Sequence, residues 1–150
     1  MRIVLLLVLI NLRLLVSATD DGSKKKLQIG IKKRIDNCNV RSKKGDALYV
    51  HYVGTLENGT EIDNSSKYEE PFLITLGYGQ VIKGLEQGLM GMCAGEKRRL
   101  VIPPDLAYGS HGALPTVPPD ATVIFVIELI KLVQKEVLSQ SEEFVMRDDL

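Results

Sequence analysis

The side chains that could do chemistry here are not those that covalent catalysis needs. A nucleophilic mechanism sets a Ser, Cys or Thr beside a base. His51 and His111 are the only two imidazoles in the 150 residues. His51 sits in an apolar, strand-like run and reads as structural, and His111 has no Ser or Cys motif around it. There is no Gly-x-Ser-x-Gly elbow, phosphate loop or dinucleotide fingerprint. Two distant cysteines and two isolated histidines have no metal-ligand spacing, so the pattern calls for neither metal nor cofactor. What remains is a set of apolar and aromatic residues with a few polar tips: Tyr52, Asp63, Phe72, Val81, Ile82, Tyr108, Val117 and Phe125. Each alone reads as core. Asp63 resists that reading, because a carboxylate behind an apolar residue must be paired or exposed. Tyr108, in a glycine-flanked loop, is better explained by its hydroxyl.

The elements that must position these residues are mostly strands. Residues 27–35 alternate Leu27, Ile29 and Ile31 with polar neighbours, the pattern of a half-buried strand. Residues 46–56 form a second strand with Leu48, Val50, Tyr52 and Leu56 on one face. Asn58-Gly59 is a hairpin signal, after which the chain returns through Thr60, Ile62 and Asp63. Residues 71–76 predict a short strand, and 96–103 a strand ending at Pro103. The one convincing helix covers 82–90, where Leu85, Leu89 and Met92 fall at i, i+4 and i+7. The longest strand, 122–132, is apolar on both faces and should be central or well covered. About five strands with hairpin connections and one short helix predict an α+β domain, an antiparallel sheet wrapped over the helix.

One stretch fits no element. Residues 103–120 hold five of the six prolines, with Gly109 and Gly112 between them. Proline removes backbone donors and glycine relaxes the dihedrals, so neither helix nor strand is expected. A loop this long in a compact domain is functional or disordered. Disorder would leave Leu106, Tyr108, Leu114 and Val117 without a purpose.

Composition narrows the class. Hydrophobic content of 45% with 25% charged residues is that of a globular chain. Basic clusters at 24–26, 32–34, 41–44 and 97–99 are balanced by acidic groups to a formal charge of zero. They read as solvated faces rather than a nucleic-acid surface, since no net field would steer a polyanion. Residues 1–18 carry Arg2, an apolar run from Ile3 to Ile10, and small residues at Ser17 and Ala18, the plan of a cleaved signal peptide. Arg13 interrupts the run, and about 20 apolar residues are needed to span a bilayer, so no stable membrane insertion is expected. Cleavage takes Arg2 and Arg13 from the 19 basic groups, leaving 17 against 19 acidic ones, a net of −2. In that setting Cys38 and Cys93 read as one disulfide, worth about 4 kcal/mol in the chain-entropy model, against the alternative of two buried thiols. Arg147-Asp148-Asp149-Leu150 is similar to the retrieval signals of the endoplasmic reticulum. Asn58-Gly59-Thr60 and Asn64-Ser65-Ser66 are sequons readable there, although Asn58 also fits a tight turn. The chain thus divides into a signal (1–18), a polar linker (19–26), a domain (27–132) and a polar tail (133–150).

Four runs carry a family resemblance: VHYVGTLENGTEID (50–63), PFLITLGYGQVIKG (71–84), GMCAGEKRRLVIPPDLAYG (91–109) and VPPDATVIFVIELIKL (117–132). The chain resembles the FKBP-type peptidyl-prolyl isomerases, the macrolide-binding immunophilins, over about residues 27–132. Its signal, cysteines and tail resemble the endoplasmic-reticulum branch. The resemblance implies a curved antiparallel sheet around a short helix, with a pocket between helix, sheet and loops. It implies pocket positions at Tyr52, Ile62, Phe72, Val81, Ile82, Leu85, Tyr108, Val117 and Phe125, with Asp63 as a polar wall. The Ile82 amide and the Tyr108 hydroxyl would donate to carbonyls, and residues 103–120 would form the rim. Asp63, Tyr108, Phe125 and Ile82 are the candidate catalytic residues. The implied partners are proline-containing polypeptide clients and macrolides such as tacrolimus or rapamycin, met in the lumen of the endoplasmic reticulum or after secretion.

Two positions depart from the family pattern. Leu85 stands where the pocket floor is usually tryptophan, and Ile62 where an aromatic commonly precedes the pocket aspartate. A wider, less aromatic pocket follows. The rival expectation is a weakly active or inactive module of the same fold that binds proline-containing clients.

Overall fold

The alternating runs become strands in the computed structural model, which describes residues 25–136. The signal segment, residues 19–24 of the linker, most of the tail and the retrieval-like motif lie outside the described residues. Strands β1 (Gln28–Lys33), β2 (Ala47–Leu56), β3 (Glu61–Asn64), β4 (Phe72–Thr75), β5 (Lys97–Ile102) and β6 (Val123–Val133) are joined by one helix, α1 (Lys83–Gly88), between β4 and β5. Every pairing is antiparallel, in the order β1-β5-β6-β2-β3, with β4 also on β2. The sheet therefore has six strands rather than about five. The sixth is the four-residue return of the Asn58-Gly59 hairpin, too short to show alternation. Along one edge of β2, β4 takes the Ala47–Val50 half and β3 the Val53–Thr55 half.

The inner faces of β2, β5 and β6 meet α1 around Leu48, Val50, Leu89, Leu100, Ile102 and Leu129, all inaccessible to solvent. The helix lies directly on β5 because Gly84 and Gly88 face it: a Cβ at Gly84 would strike Ile102, and one at Gly88 would strike Leu100. The helix is shorter than the expected 82–90, ending at Gly88 in a tight turn through Gly91 at φ 70°. Leu89 and Met92 are nonetheless buried, as their spacing predicts. β6 is central, between β5 and β2. β1, expected to be half-buried, is exposed along its whole length, with Ile29 and Ile31 open to solvent. It is an edge strand paired only with β5, and alternation does not report whether a layer covers the face.

Cys38 and Cys93 form a disulfide with their Cα atoms 6.1 Å apart, joining the β1–β2 connection to the turn after α1. Ser42 reinforces this seam, donating through Oγ to the Leu89 carbonyl (2.6 Å) and accepting from the Met92 amide (2.8 Å). The basic cluster 97–99 is not uniformly solvated. Arg98 points inward on β5 and is buried, donating to Glu96 Oε1 at 2.7 Å and to the carbonyls of Gly88, Met90 and Gly91 at 2.8–3.0 Å. It caps the C-terminal end of α1, whose carbonyls have no partner within the helix.

Candidate functional site

Beyond this packed region the inner faces of β2 and β6 open into a cavity of about 450 Å³. β2 contributes Val50 and Tyr52, β3 Asp63, β4 Phe72 and Ile74, and β6 Phe125 and Ile127. Gln80, Val81 and Ile82 come from the segment entering α1, Leu85 from the helix, and Tyr108 from the proline-rich loop. Alternation on two neighbouring strands and one helical turn aims these side chains at a common point. Gly54 makes room for the Phe125 ring, since a Cβ there would lie 2.6 Å from it. The rings of Tyr52 and Phe72 meet edge to face at 5.8 Å, and those of Tyr52 and Phe125 are tilted at 6.0 Å.

The polar groups of this wall have distinct roles. Tyr52 Oη donates to Asp63 Oδ2 at 2.6 Å, and the Asn64 amide donates to Asp63 Oδ1 at 2.8 Å. The carboxylate is thus held in place by its own neighbours. Burial, and then the hydrogen bond to Asp63, push the Tyr52 phenol well above its ordinary pKa. Burial and the Asp63 charge push Tyr108 in the same direction. Both phenols are neutral donors at neutral pH. Among the described residues, the Tyr108 hydroxyl and the Ile82 amide have no hydrogen-bond partner, and both belong to residues that line the cavity.

The 103–120 loop is ordered by its own backbone. A 3-10 turn at Pro104–Leu106 is followed by bonds from the Gly109 amide to the Pro104 carbonyl (2.8 Å), Gly112 to Tyr108 (3.1 Å) and Asp120 to Gly109 (2.9 Å). These ties hold Tyr108 over the cavity. Val117, expected on the rim, is instead buried in the core and bridges Ala113. Ile62 packs half-buried beside Gly54 and does not line the cavity.

Val50, Ile74 and Ile127 line the cavity although they read only as core in the sequence. Two further polar residues escaped sequence reasoning. Gln80 Oε1 accepts from the Thr75 amide at 2.9 Å, and Glu86 takes the Gly77 and Gly79 amides on its two carboxylate oxygens. Together they pin the loop that delivers Val81 and Ile82. Glycines nine and seven residues before an acidic helix residue are the only sequence signal, and it is a weak one.

Fold and cavity define an antiparallel sheet over a short helix, with a mostly apolar, aromatic-lined cavity and two donors on its lining residues that have no partner among the described residues. This chain belongs to the FKBP-type peptidyl-prolyl cis-trans isomerases, whose family model matches residues 38–130. It is 53% identical over 135 residues to the peptidyl-prolyl cis-trans isomerase FKBP2 of Bos taurus, covering 90% of this chain and 96% of the relative. The Homo sapiens FKBP2 is 54% identical over 129 residues, 86% of this chain and 91% of the relative. FK506-binding protein 2 of Dictyostelium discoideum is 47% identical over 130 residues, 87% and 98% of the two chains. The protein is accordingly an enzyme that interconverts cis and trans X-Pro bonds.

Proposed function

We propose that the cavity lined by Tyr52, Phe72, Ile82, Leu85 and Phe125 receives the prolyl ring, while the Tyr108 hydroxyl and the Ile82 amide donate to the neighbouring carbonyls. The observation that carries this reading is the pair of unspent donors on residues that line a mostly apolar cavity. Rotation about an X-Pro amide meets a barrier of roughly 20 kcal/mol, because twisting removes resonance. No bond breaks, so no nucleophile is required. The twisted amide has a less polar carbonyl than the planar one, and an apolar pocket favours it over the planar amide that water solvates. Binding the twisted state more tightly than the ground state is catalysis by differential binding. Asp63, fixed by Tyr52, acts as the polar wall that orients the peptide.

Leu85 makes the floor aliphatic and wider than a tryptophan would. Macrolides such as tacrolimus or rapamycin would occupy the same cavity, with fewer ring contacts beneath them. We place the enzyme in the lumen of the endoplasmic reticulum, acting on proline-containing folding clients. The signal-like residues 1–18, the retrieval-like tail and a disulfide suited to an oxidising compartment support this.

The test is isomerisation of short X-Pro peptides by the oxidised chain from residue 19, beside Leu85→Trp. Catalysis by the native chain is expected, with a change in preference for the residue before proline in Leu85→Trp. Activity confined to Leu85→Trp would keep the assigned floor but overturn catalysis by the native chain and favour a client-binding role.

A further inference from the structure

The β2–β3 hairpin carries chemistry that the isomerase cavity does not use. Two sequons lie six residues apart, Asn58-Gly59-Thr60 at the tip and Asn64-Ser65-Ser66 at the end of β3. From their contrasting geometry we propose that Asn58 is an N-glycosylation site and that Asn64 is not. The proposal rests on the lumenal reading above.

Asn58, Gly59 and Thr60 are all exposed. The Leu56 amide donates to the Thr60 carbonyl (2.8 Å), and the Gly59 amide to the Leu56 carbonyl (3.0 Å), closing the turn. Within it Asn58 Oδ1 accepts the Thr60 amide at 3.0 Å. The asparagine oxygen is engaged inward, on the third residue of its own sequon. Its Nδ2 has no partner among the described residues. The space around Gly59 is open. An N-linked sugar on Nδ2 keeps the oxygen as an acceptor, so the turn and the glycan are compatible in the folded protein.

Asn64 shares the acceptor contact to the third residue of its sequon but differs in its nitrogen and its surroundings. It pairs with Val53 in the sheet, its Nδ2 donates to Glu61 Oε2 at 3.2 Å, and its Oδ1 caps the Ser66 amide at 2.9 Å. Its neighbour Ser65 is buried, with Oγ bonded to the Tyr52 amide at 2.8 Å. A glycan here would displace the Glu61 contact beside Asp63, on the cavity wall.

The reaction takes an oligosaccharide from a lipid-linked diphosphate donor through the lumenal transferase. A bond forms between Asn58 Nδ2 and the anomeric carbon, while the bond from that carbon to the diphosphate oxygen breaks. The lipid diphosphate leaves with the electron pair, and one amide proton passes to a base of the transferase. The product is a glycan on the hairpin tip, five residues along the chain from Asp63.

The experiment expresses the full chain in cells that glycosylate secretory proteins, beside the same chain with residues 1–18 replaced by a leader of proven function. Electrophoretic mobility is read before and after endoglycosidase, and alkylation of Cys38 and Cys93 reports entry into an oxidising compartment. A one-glycan shift lost in Asn58→Gln and in Thr60→Ala but kept in Asn64→Gln is expected, with short-peptide isomerisation unchanged by either Asn58→Gln or the glycan. A shift only behind the proven leader keeps the site and overturns the lumenal reading. An unshifted, oxidised chain behind that leader overturns the site, as does a shift that follows Asn64.

Discussion

Two polar clusters flank helix α1, and they spend their hydrogen bonds in opposite ways. At the C-terminal end, Arg98 gives its donors to Glu96 and to three carbonyls, and Glu96 also accepts the Cys93 amide at 3.0 Å. At the N-terminal end, the Ile82 amide and the Tyr108 hydroxyl, on residues that line the cavity, have no partner among the described residues. A buried donor left unpaired costs free energy. The first cluster avoids that cost and fastens helix to sheet. The second avoids it by exposure: Ile82 and Tyr108 are only half-buried, and no buried side-chain nitrogen or oxygen among the described residues lacks a partner, so its donors stay open to a group from outside the chain.

The contrast breaks most visibly at Arg98. Arg98→Ala leaves Glu96 buried without its ion-pair partner and the Gly88 and Met90 carbonyls unfilled, while Gly91 keeps Arg41, and should cost about 3–5 kcal/mol in chemical denaturation. Turnover per folded molecule should change little. A cost below about 1 kcal/mol, the scale of an exposed pair, would erase the distinction. Tyr108→Phe should do the reverse. Losing one hydrogen bond of about 1.4 kcal/mol in the transition state lowers kcat/KM about ten-fold. The unfolding midpoint should stay, since the hydroxyl has no partner among the described residues. Glu86→Gln sharpens the comparison, because Glu86 acts on the site only by holding Gly77 and Gly79. A fall in kcat/KM of about three-fold, in kcat more than KM, is expected, with a larger fall in Glu86→Ala.

The smallest effects are in pH dependence, and the two ends should govern opposite limbs. Burial alone would raise the Glu96 pKa, but the Arg98 hydrogen bond and the Cys93 amide outweigh it and hold the carboxyl below its ordinary 4.5. Its stabilisation is therefore present above pH 4.5 and lost as pH falls through the lower folded value. Burial, with the Asp63 contact, raises the Tyr52 phenol above its ordinary 10.0. That contribution is present below pH 10 and lost as pH rises through the folded value. Thermal unfolding across pH should show the acid limb moving upward in Arg98→Ala. Tyr52→Phe should remove the alkaline sensitivity, along with the Asp63 hydrogen bond at every pH.

Much of the fold was legible in the sequence. One-face alternation marked β2, a run ending at Pro103 marked β5, apolar residues on both faces marked β6 as central, Asn58-Gly59 marked the hairpin, and Leu85, Leu89 and Met92 marked the buried face of the helix. The failures share a cause. β1 alternates as a buried strand does, yet it lies at an edge that no layer covers. Arg98 stands in a basic run, yet it occupies an inward position on β5. Of the candidate site residues, most line one cavity, while Val117 lies in the core and Ile62 beside Gly54. Glu86 and Gln80 were invisible because their partners are backbone amides, which look the same at every position of a sequence.

The sequence by itself determined the strands, the hairpin, the absence of a covalent catalytic set and membership in the isomerase family. These depend on side-chain period and on motifs read along the chain. Only the tertiary structure decided which polar groups are spent and which are spare, and which apolar residues face the cavity rather than the core. Both depend on what lies opposite, and the partners of Arg98, Tyr52 and Glu86 are fixed by the antiparallel register and by the seat of the helix on Gly84 and Gly88.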